Sequence, residues 1–293
     1  MRNTIRFDWA IKRLLRNKAN YQILEGFLSE LLDQDITITS LLESESNQQT
    51  AVNKLNRVDL MVQNSKGDLM IIEVQSDYTQ DYLLRILFGI SKLIVDNLDK
   101  GEAYRKVKKV ISINIVYFDL GHGDDYIYEG VTTFKGRHYK DTLKLSPREQ
   151  AVFQSEEIEK IYPEIYLIKV NNFNELAENR VDEWINFLKT EEVKENTKAR
   201  GLKEAKKQID ILKLDKEAMI AYESDEDAWR DYASSISTAF TSGELKGEIK
   251  GEMKGRKEEK LDIAKNCLKS GMTTEATALI TGLPVDEVSG IRL

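Results

Sequence analysis

The chain is poor in the residues that most often build metal and nucleophile sites. Its 293 residues include one cysteine, Cys267, and two histidines, His122 and His138. A single cysteine excludes a disulfide framework and a cysteine-rich zinc module. The two histidines stand in no H-E-x-x-H or triad pattern, so His-based chemistry has little to work with. Three prolines imply long helices and few rigid turns. No run approaches the ~18 apolar residues of a membrane span, and the stretch from Met1 to Asp8 has no apolar signal-like segment. A cytoplasmic location without membrane attachment is the expectation. Positive charge is also in deficit: 43 Lys and Arg against 50 Asp and Glu give −7. That argues against a protein that coats nucleic acid by bulk attraction, while leaving room for a local basic groove.

What is present is mostly patterned. Phe7, Ala10, Ile11, Leu14 and Leu15 recur at helical spacing, with Lys12, Arg13, Arg16 and Lys18 mostly on the other side. Ile23, Leu24, Phe27, Leu28, Leu31 and Leu32 predict a second, more buried helix, followed by a strand within 35–42. A polar loop extends to about Asn53. An amphipathic helix is expected from about Gln80 to Asn97, with Leu83, Ile86, Leu87, Ile90, Leu93 and Ile94 on its apolar side. A buried strand over 110–118, weaker strands near 126–134 and 165–170, and a helix over 181–189 complete the first part. Composition changes near Thr190, which suggests a first domain over 1–190 and an all-helical extension over 191–293.

The most informative stretch is a hairpin. Two β-rich runs, 57–63 and 69–75, flank Asn64-Ser-Lys-Gly-Asp68. A turn centred on Lys66 puts Asp59 opposite Glu73, with Gln75 on the same face as Glu73. Val58, Leu60, Val62, Met70, Ile72 and Val74 fall on the other face, as a core would require. Two opposed carboxylates repel. A divalent cation between them would remove that penalty, and so would Arg57 or water on a solvated sheet face. The apolar neighbours of Glu73 in Met70-Ile-Ile-Glu-Val74 favour a placed acid.

Asp59, thirteen intervening residues and then Glu73-Val-Gln75 resemble the PD-(D/E)XK nuclease signature. The narrower resemblance is to the PD-(D/E)XK family transposases, or recombination-promoting nucleases. It is carried by Phe7-Asp-Trp-Ala-Ile-Lys12, Arg57-Val-Asp59, Ile72-Glu-Val-Gln75, Arg85, Gly101-Glu-Ala-Tyr104 and the Gly-Glu-x-Lys tail. The resemblance implies an α/β restriction-endonuclease-like core, a central mixed sheet flanked by helices, ahead of the helical extension. It implies metal-dependent hydrolysis of DNA phosphodiester bonds. Asp59, Glu73 and the Val74 carbonyl would hold Mg²⁺ or Mn²⁺, and Asp59, Glu73 and Gln75 would be the catalytic set. Glu25 is the positional candidate for an acidic ligand from the first core helix; its alternative is an ordinary exposed helix Glu. Val58 stands where the motif has proline, and Gln75 stands where it has lysine. Gln75 supplies hydrogen bonds but no charge. A nuclease-fold protein with weakened or lost catalysis, acting as a DNA- or protein-binding regulatory dimer, is therefore the rival reading. Candidate DNA contacts are Lys12, Arg13, Arg16 and Arg85, with Arg105, Lys106, Lys108 and Lys109 a second basic stretch.

The extension carries an internal repeat over 243–258, with glycines at 243, 247, 251 and 255. Each costs a helix about 1 kcal/mol against alanine. Glu244, Glu248 and Glu252 stack in one i,i+4 row and Lys246, Lys250 and Lys254 in another, mildly unfavourable in isolation. A second copy could place its Lys row against this Glu row, so a homodimer through 243–258 is expected, with a flexible charged linker as the alternative. The final stretch, 273–288, looks like the start of a helix-turn-helix, but has too few basic residues to read bases. A small helical packing unit is the expectation there.

Overall fold

The computed structural model describes residues 7–17, 20–42 and 60–291. The chain divides into two compact units, 1–220 and 221–293.

The first unit is built on a mixed six-stranded sheet of order β1-β2-β3-β4-β6-β5. The strands are β1 (Ile38–Leu41), β2 (Leu60–Asn64), β3 (Leu69–Gln75), β4 (Val110–Val116), β5 (Ile127–Gly130) and β6 (Glu164–Lys169). β3, β4 and β6 are parallel, and β1, β2 and β5 pair antiparallel with their neighbours. The β2–β3 turn closes through local chemistry. Asn64 Oδ1 accepts hydrogen bonds from the amides of Lys66 at 3.0 Å and Asp68 at 2.8 Å. Gly67 supplies the left-handed residue at φ +90°.

That turn fixes the register. Leu60 pairs with Ile72, Met61 with Ile71, Val62 with Met70 and Gln63 with Leu69, the pairing expected from a turn centred on Lys66. Side chains then alternate between two covered faces. On one, Leu69, Ile71, Val110 and Val116 pack with Tyr82, Ile86, Ile90 and Leu93 of α3 (Tyr82–Asp96). On the other, Leu60, Val62, Met70, Ile72 and Val74 are buried, as expected, with Ile111, Ile113 and Ile115. α1 (Phe7–Arg16) touches β3, and packs with α2 (Tyr21–Leu31) and α6 (Leu202–Leu214); α2 in turn meets α5 (Arg180–Thr190). Phe27 meets Trp184 edge-on at 5.4 Å between ring centroids, and Phe7 meets Phe187 at 5.2 Å. Phe27 and Phe187, both fully buried, each contribute about 1.5–3 kcal/mol. Because α6 packs with α1 and α2, it lies within the first unit, although composition changes near Thr190.

Two elements differ from expectation. The buried stripe of α3 is narrower: Leu83 and Leu87 are exposed, while Tyr82, Ile86, Ile90 and Leu93 face the sheet. β5 ends at Gly130 because the chain turns away to form a separate small hairpin, with Lys135 bridged to Thr142. α4 (Pro147–Phe153) follows, capped by Ser146 and Glu149.

The helix α7 (Lys216–Lys269) is 54 residues long and runs through the whole glycine repeat. Nothing lies within 4 Å of a Cβ built on Gly243, Gly247, Gly251 or Gly255. Leu245, Ile249 and Met253 are exposed. Within the second unit, Ala264 of α7 packs with Ala278 of α8 (Thr274–Thr281), Leu283, and Val288 of α9 (Val285–Ser289). This is the small helical packing unit expected of the tail. No helix among the described residues is long and apolar enough to cross a membrane.

Candidate active site

Glu73 lies in the central strand β3, 5% exposed, on the face covered by α3. Parallel pairing sets it beside Asn114 of β4. Asn114 is itself buried and donates through Nδ2 to Ser112 Oγ at 3.0 Å and to the Tyr166 carbonyl at 3.2 Å. Among the described residues its Oδ1 has no hydrogen-bond partner. A buried amide oxygen left unpaired costs free energy of about 1–3 kcal/mol. A carboxylate and such an oxygen on one face suit a hard cation, which takes oxygen donors.

Gln75 is half-buried at the end of β3, and its carbonyl accepts from the Tyr117 amide at 2.9 Å. The next residue, Ser76, donates its hydroxyl to Asp8 in the first turn of α1. Asp8, Ser76, Tyr117, Lys189 and Glu191 line a cavity of about 360 Å³. Burial drives the Tyr117 phenol well above its ordinary range, and the charges of Asp8 and Glu191 push it further. Tyr117 therefore stays protonated and donates to the Leu188 carbonyl at 2.9 Å.

The other expected site residues fall in different places. Asp59 lies outside the described residues. Val74 is buried beside Glu73 in β3. Glu25 is not brought to Glu73. Its Oε1 accepts the Ile38 amide at 2.7 Å, and Ile38 pairs with Asn64 at the turn end of the hairpin. Glu73 lies four residues beyond Leu69, roughly 13 Å along the strand from that end. The acid that the first helix does bring to the end of β3 is Asp8. Nothing in local spacing marks it, since its partner Ser76 is 68 positions away. Its place in the first turn of an amphipathic helix was the available signal.

The basic candidates divide similarly. Arg13 lies over the Trp9 ring at 5.2 Å, Lys12 and Arg85 are half-buried, and the Arg16 side chain lies outside the described set. Lys106 is paired with Glu102, and Lys109 with buried Glu164 at 2.5 Å. Two of the four cations in 105–109 are therefore already engaged.

No group of three or more His, Cys, Asp or Glu among the described residues could hold a metal ion. A metal centre thus needs oxygens beyond the carboxylates described, which the Asn114 oxygen and the Val74 carbonyl offer in kind.

A mixed sheet whose hairpin leads into a helix and then a parallel buried strand, with flanking helices and an acid on the second hairpin strand, is a PD-(D/E)XK-type α/β fold with an all-α extension. The family model for PD-(D/E)XK nuclease family transposases matches residues 5–239. The chain belongs to that family. No curated protein and no solved structure is significantly similar to it.

Proposed function

We propose that the protein is a metal-dependent endonuclease that hydrolyses DNA phosphodiester bonds, of the transposase or recombination-promoting type, working in the cytoplasm. The observation that carries this reading is Glu73: a carboxylate buried in the middle of an apolar strand, beside an amide oxygen with no partner. Structural strands seldom bury a carboxylate without a purpose, because desolvating it is costly.

In this reading Asp59, Glu73 and the Val74 carbonyl hold Mg²⁺ or Mn²⁺. Bound there, such an ion would supply Lewis-acid chemistry, lowering the pKa of a water and polarising the scissile phosphate. Glu73 is fixed by its strand and needs no reorganisation. Gln75, on the same face, donates hydrogen bonds to a phosphate oxygen or to the attacking water, without the charge that a lysine would bring. Glu25 is left out of the set, because it is committed to the Ile38 amide. Gln75 also favours the second reading, a nuclease fold with weakened catalysis that binds DNA or protein as a regulatory dimer. Nicking of supercoiled plasmid with added Mg²⁺ or Mn²⁺ separates the two, since only the enzyme loses a measurable activity on Glu73→Gln.

We also assign 243–258 as a dimerisation element. The Glu row and the Lys row flank the exposed Leu245, Ile249 and Met253 on opposite sides of α7. In a parallel pair, the Glu row of one copy meets the Lys row of the other along both seams; an antiparallel pair sets like against like. The four glycines lie on the opposite side of α7 from this apolar row, with open surface over them, so in such a pair they face away from the partner. Deleting 243–257 and measuring mass in solution tests this; an unchanged oligomeric state contradicts it.

A further inference from the structure

The strongest unassigned surface is the small hairpin between β5 and α4. Its base is held by the Lys135–Thr142 bridge and by the Leu143 amide donating to the Phe134 carbonyl at 2.9 Å. Phe134 meets Tyr162 edge-on at 5.5 Å, which anchors the base to the segment ahead of β6. The tip closes through the Gly136 amide to the Asp141 carbonyl at 2.8 Å, with Lys140 in a left-handed conformation at φ 59°. Such a conformation in a lysine needs support from its surroundings.

This ordered tip presents Tyr139, 92% exposed, between Arg137 and Lys140. Lys135, Arg137 and Lys140 are exposed and form no ion pair among the described residues. Asp141 is the only carboxylate at the tip. Its Oδ1 turns onto Gly136, lying where a Cβ of that residue would stand. The acids Glu156, Glu157 and Glu159 lie at the base, where they line a cavity with Lys144. Lys144 is therefore not counted among the free cations. In a chain of net charge −7, three unpaired cations around a presented aromatic ring form a local exception.

We propose that the tip 135–140 is a DNA-binding element, with Lys135, Arg137 and Lys140 on backbone phosphates and the Tyr139 ring stacked on an exposed base. Unpaired cations gain from phosphate contact by releasing counterions. An aromatic ring held out in solvent pays little to stack on a base, and does so without sequence preference. The hairpin leaves the sheet beyond β5, three strands from β3, which is about 14 Å across the sheet. A DNA segment about one helical turn long, some 34 Å, would reach from it to Glu73. The proposal rests on the nuclease reading only for the choice of DNA as the partner.

The test uses the full chain, a fluorescent DNA duplex with a single-stranded overhang, and EDTA, so that cleavage plays no part. Affinity is followed by anisotropy across a salt series. The triple variant Lys135→Gln/Arg137→Gln/Lys140→Asn keeps a residue that tolerates the left-handed position. It should bind at least ~10-fold more weakly and lower the slope of log K against log salt by about 2 to 3. Tyr139→Ala should weaken binding about 5- to 100-fold with the slope unchanged, and Tyr139→Phe should bind like wild type. Melting temperatures of all variants should match wild type, because the altered side chains are exposed. Variants that bind with wild-type affinity and slope overturn the hairpin proposal alone. A wild-type chain that binds no DNA overturns the hairpin proposal and the nuclease reading together.

Discussion

Gly26 offers a sharp test of the packing that holds α2 against the start of α6. A Cβ built on Gly26 would stand 2.4 Å from the carbonyl oxygen of Arg200 and 2.7 Å from its carbon. Ordinary contact begins near 3.4 Å, so the 200–201 backbone would have to retreat by about 1 Å. That oxygen also accepts the indole N–H of Trp184 at 3.2 Å, and retreat would stretch the bond. Gly201, in a left-handed conformation at φ 73°, is itself close against α2: its own Cβ would lie 3.1 Å from the Ile23 Cα. Three contributions then decide the sign for Gly26→Ala. Alanine gains about 1 kcal/mol of helix propensity. Overpacking costs about 1–3 kcal/mol, and the weakened Trp184 bond about 0.5–1.5 kcal/mol. The balance is a destabilisation of about 0.5–3.5 kcal/mol, which lowers the melting temperature by about 1–14 °C in a unit of this size. Gly89, in α3, has nothing within 4 Å of its Cβ position, so Gly89→Ala should raise stability by about 0.5–1 kcal/mol. Thermal melts of the two variants beside wild type make the comparison. A Gly26→Ala protein that melts at or above the wild-type temperature would refute the packing described.

Three further outcomes follow from named contacts. Burial alone would raise the Glu183 carboxyl, but hydrogen bonds from the Thr197 hydroxyl and the amides of Ala199 and Lys198 outweigh it and hold the group below its usual value. Its contribution is present above the ordinary carboxylate range and is lost as pH falls through the depressed folded value; Glu183→Gln should cost about 1–3 kcal/mol at neutral pH, with the gap to wild type closing in acid melts. Glu164 is buried and paired with Lys109 at 2.5 Å and with Lys160 at 3.8 Å, so removing both cations, Lys109→Met with Lys160→Met, should cost about 3–5 kcal/mol by leaving a buried charge, and adding Glu164→Gln should recover most of it in denaturant titrations. Reversing the Glu244/Glu248/Glu252 row to lysine, or the Lys246/Lys250/Lys254 row to glutamate, should each give monomers by light scattering, while an equimolar mixture dimerises; a dimer in either pure variant contradicts the parallel pairing.

The strands were legible because their signals are local. Alternation over 57–63 and 69–75, with Asn64 and Gly67 in the turn, set a pairing that the structure reproduces for Leu60 to Gln63. The apolar spacing of Leu202 to Leu214 likewise marks a helix over that span. The edge of α3 was less legible, since period alone does not say how wide a stripe the sheet can cover. Leu83 and Leu87 satisfy the helical pattern yet remain exposed. Long-range side-chain meetings left no local trace. The Ser76–Asp8 bond joins the end of β3 to the first turn of α1, and the bond from the Ile38 amide fixes Glu25 at the opposite end of the hairpin. Asn114 was hidden for a similar reason: inside a buried β-branched strand it reads as a lapse in the apolar run, and only parallel pairing sets it beside Glu73.

The most direct test of the central reading is the nicking of supercoiled plasmid by wild type, Asp59→Ala and Glu73→Gln, prepared identically and assayed with Mg²⁺ and with Mn²⁺. A bound metal contributes several kcal/mol of transition-state stabilisation, so losing a ligand should slow nicking about 100-fold or more. The account predicts metal-dependent nicking by wild type, abolished by EDTA and lost in both variants. Equal nicking by all three proteins, or none by wild type with either metal, would contradict it.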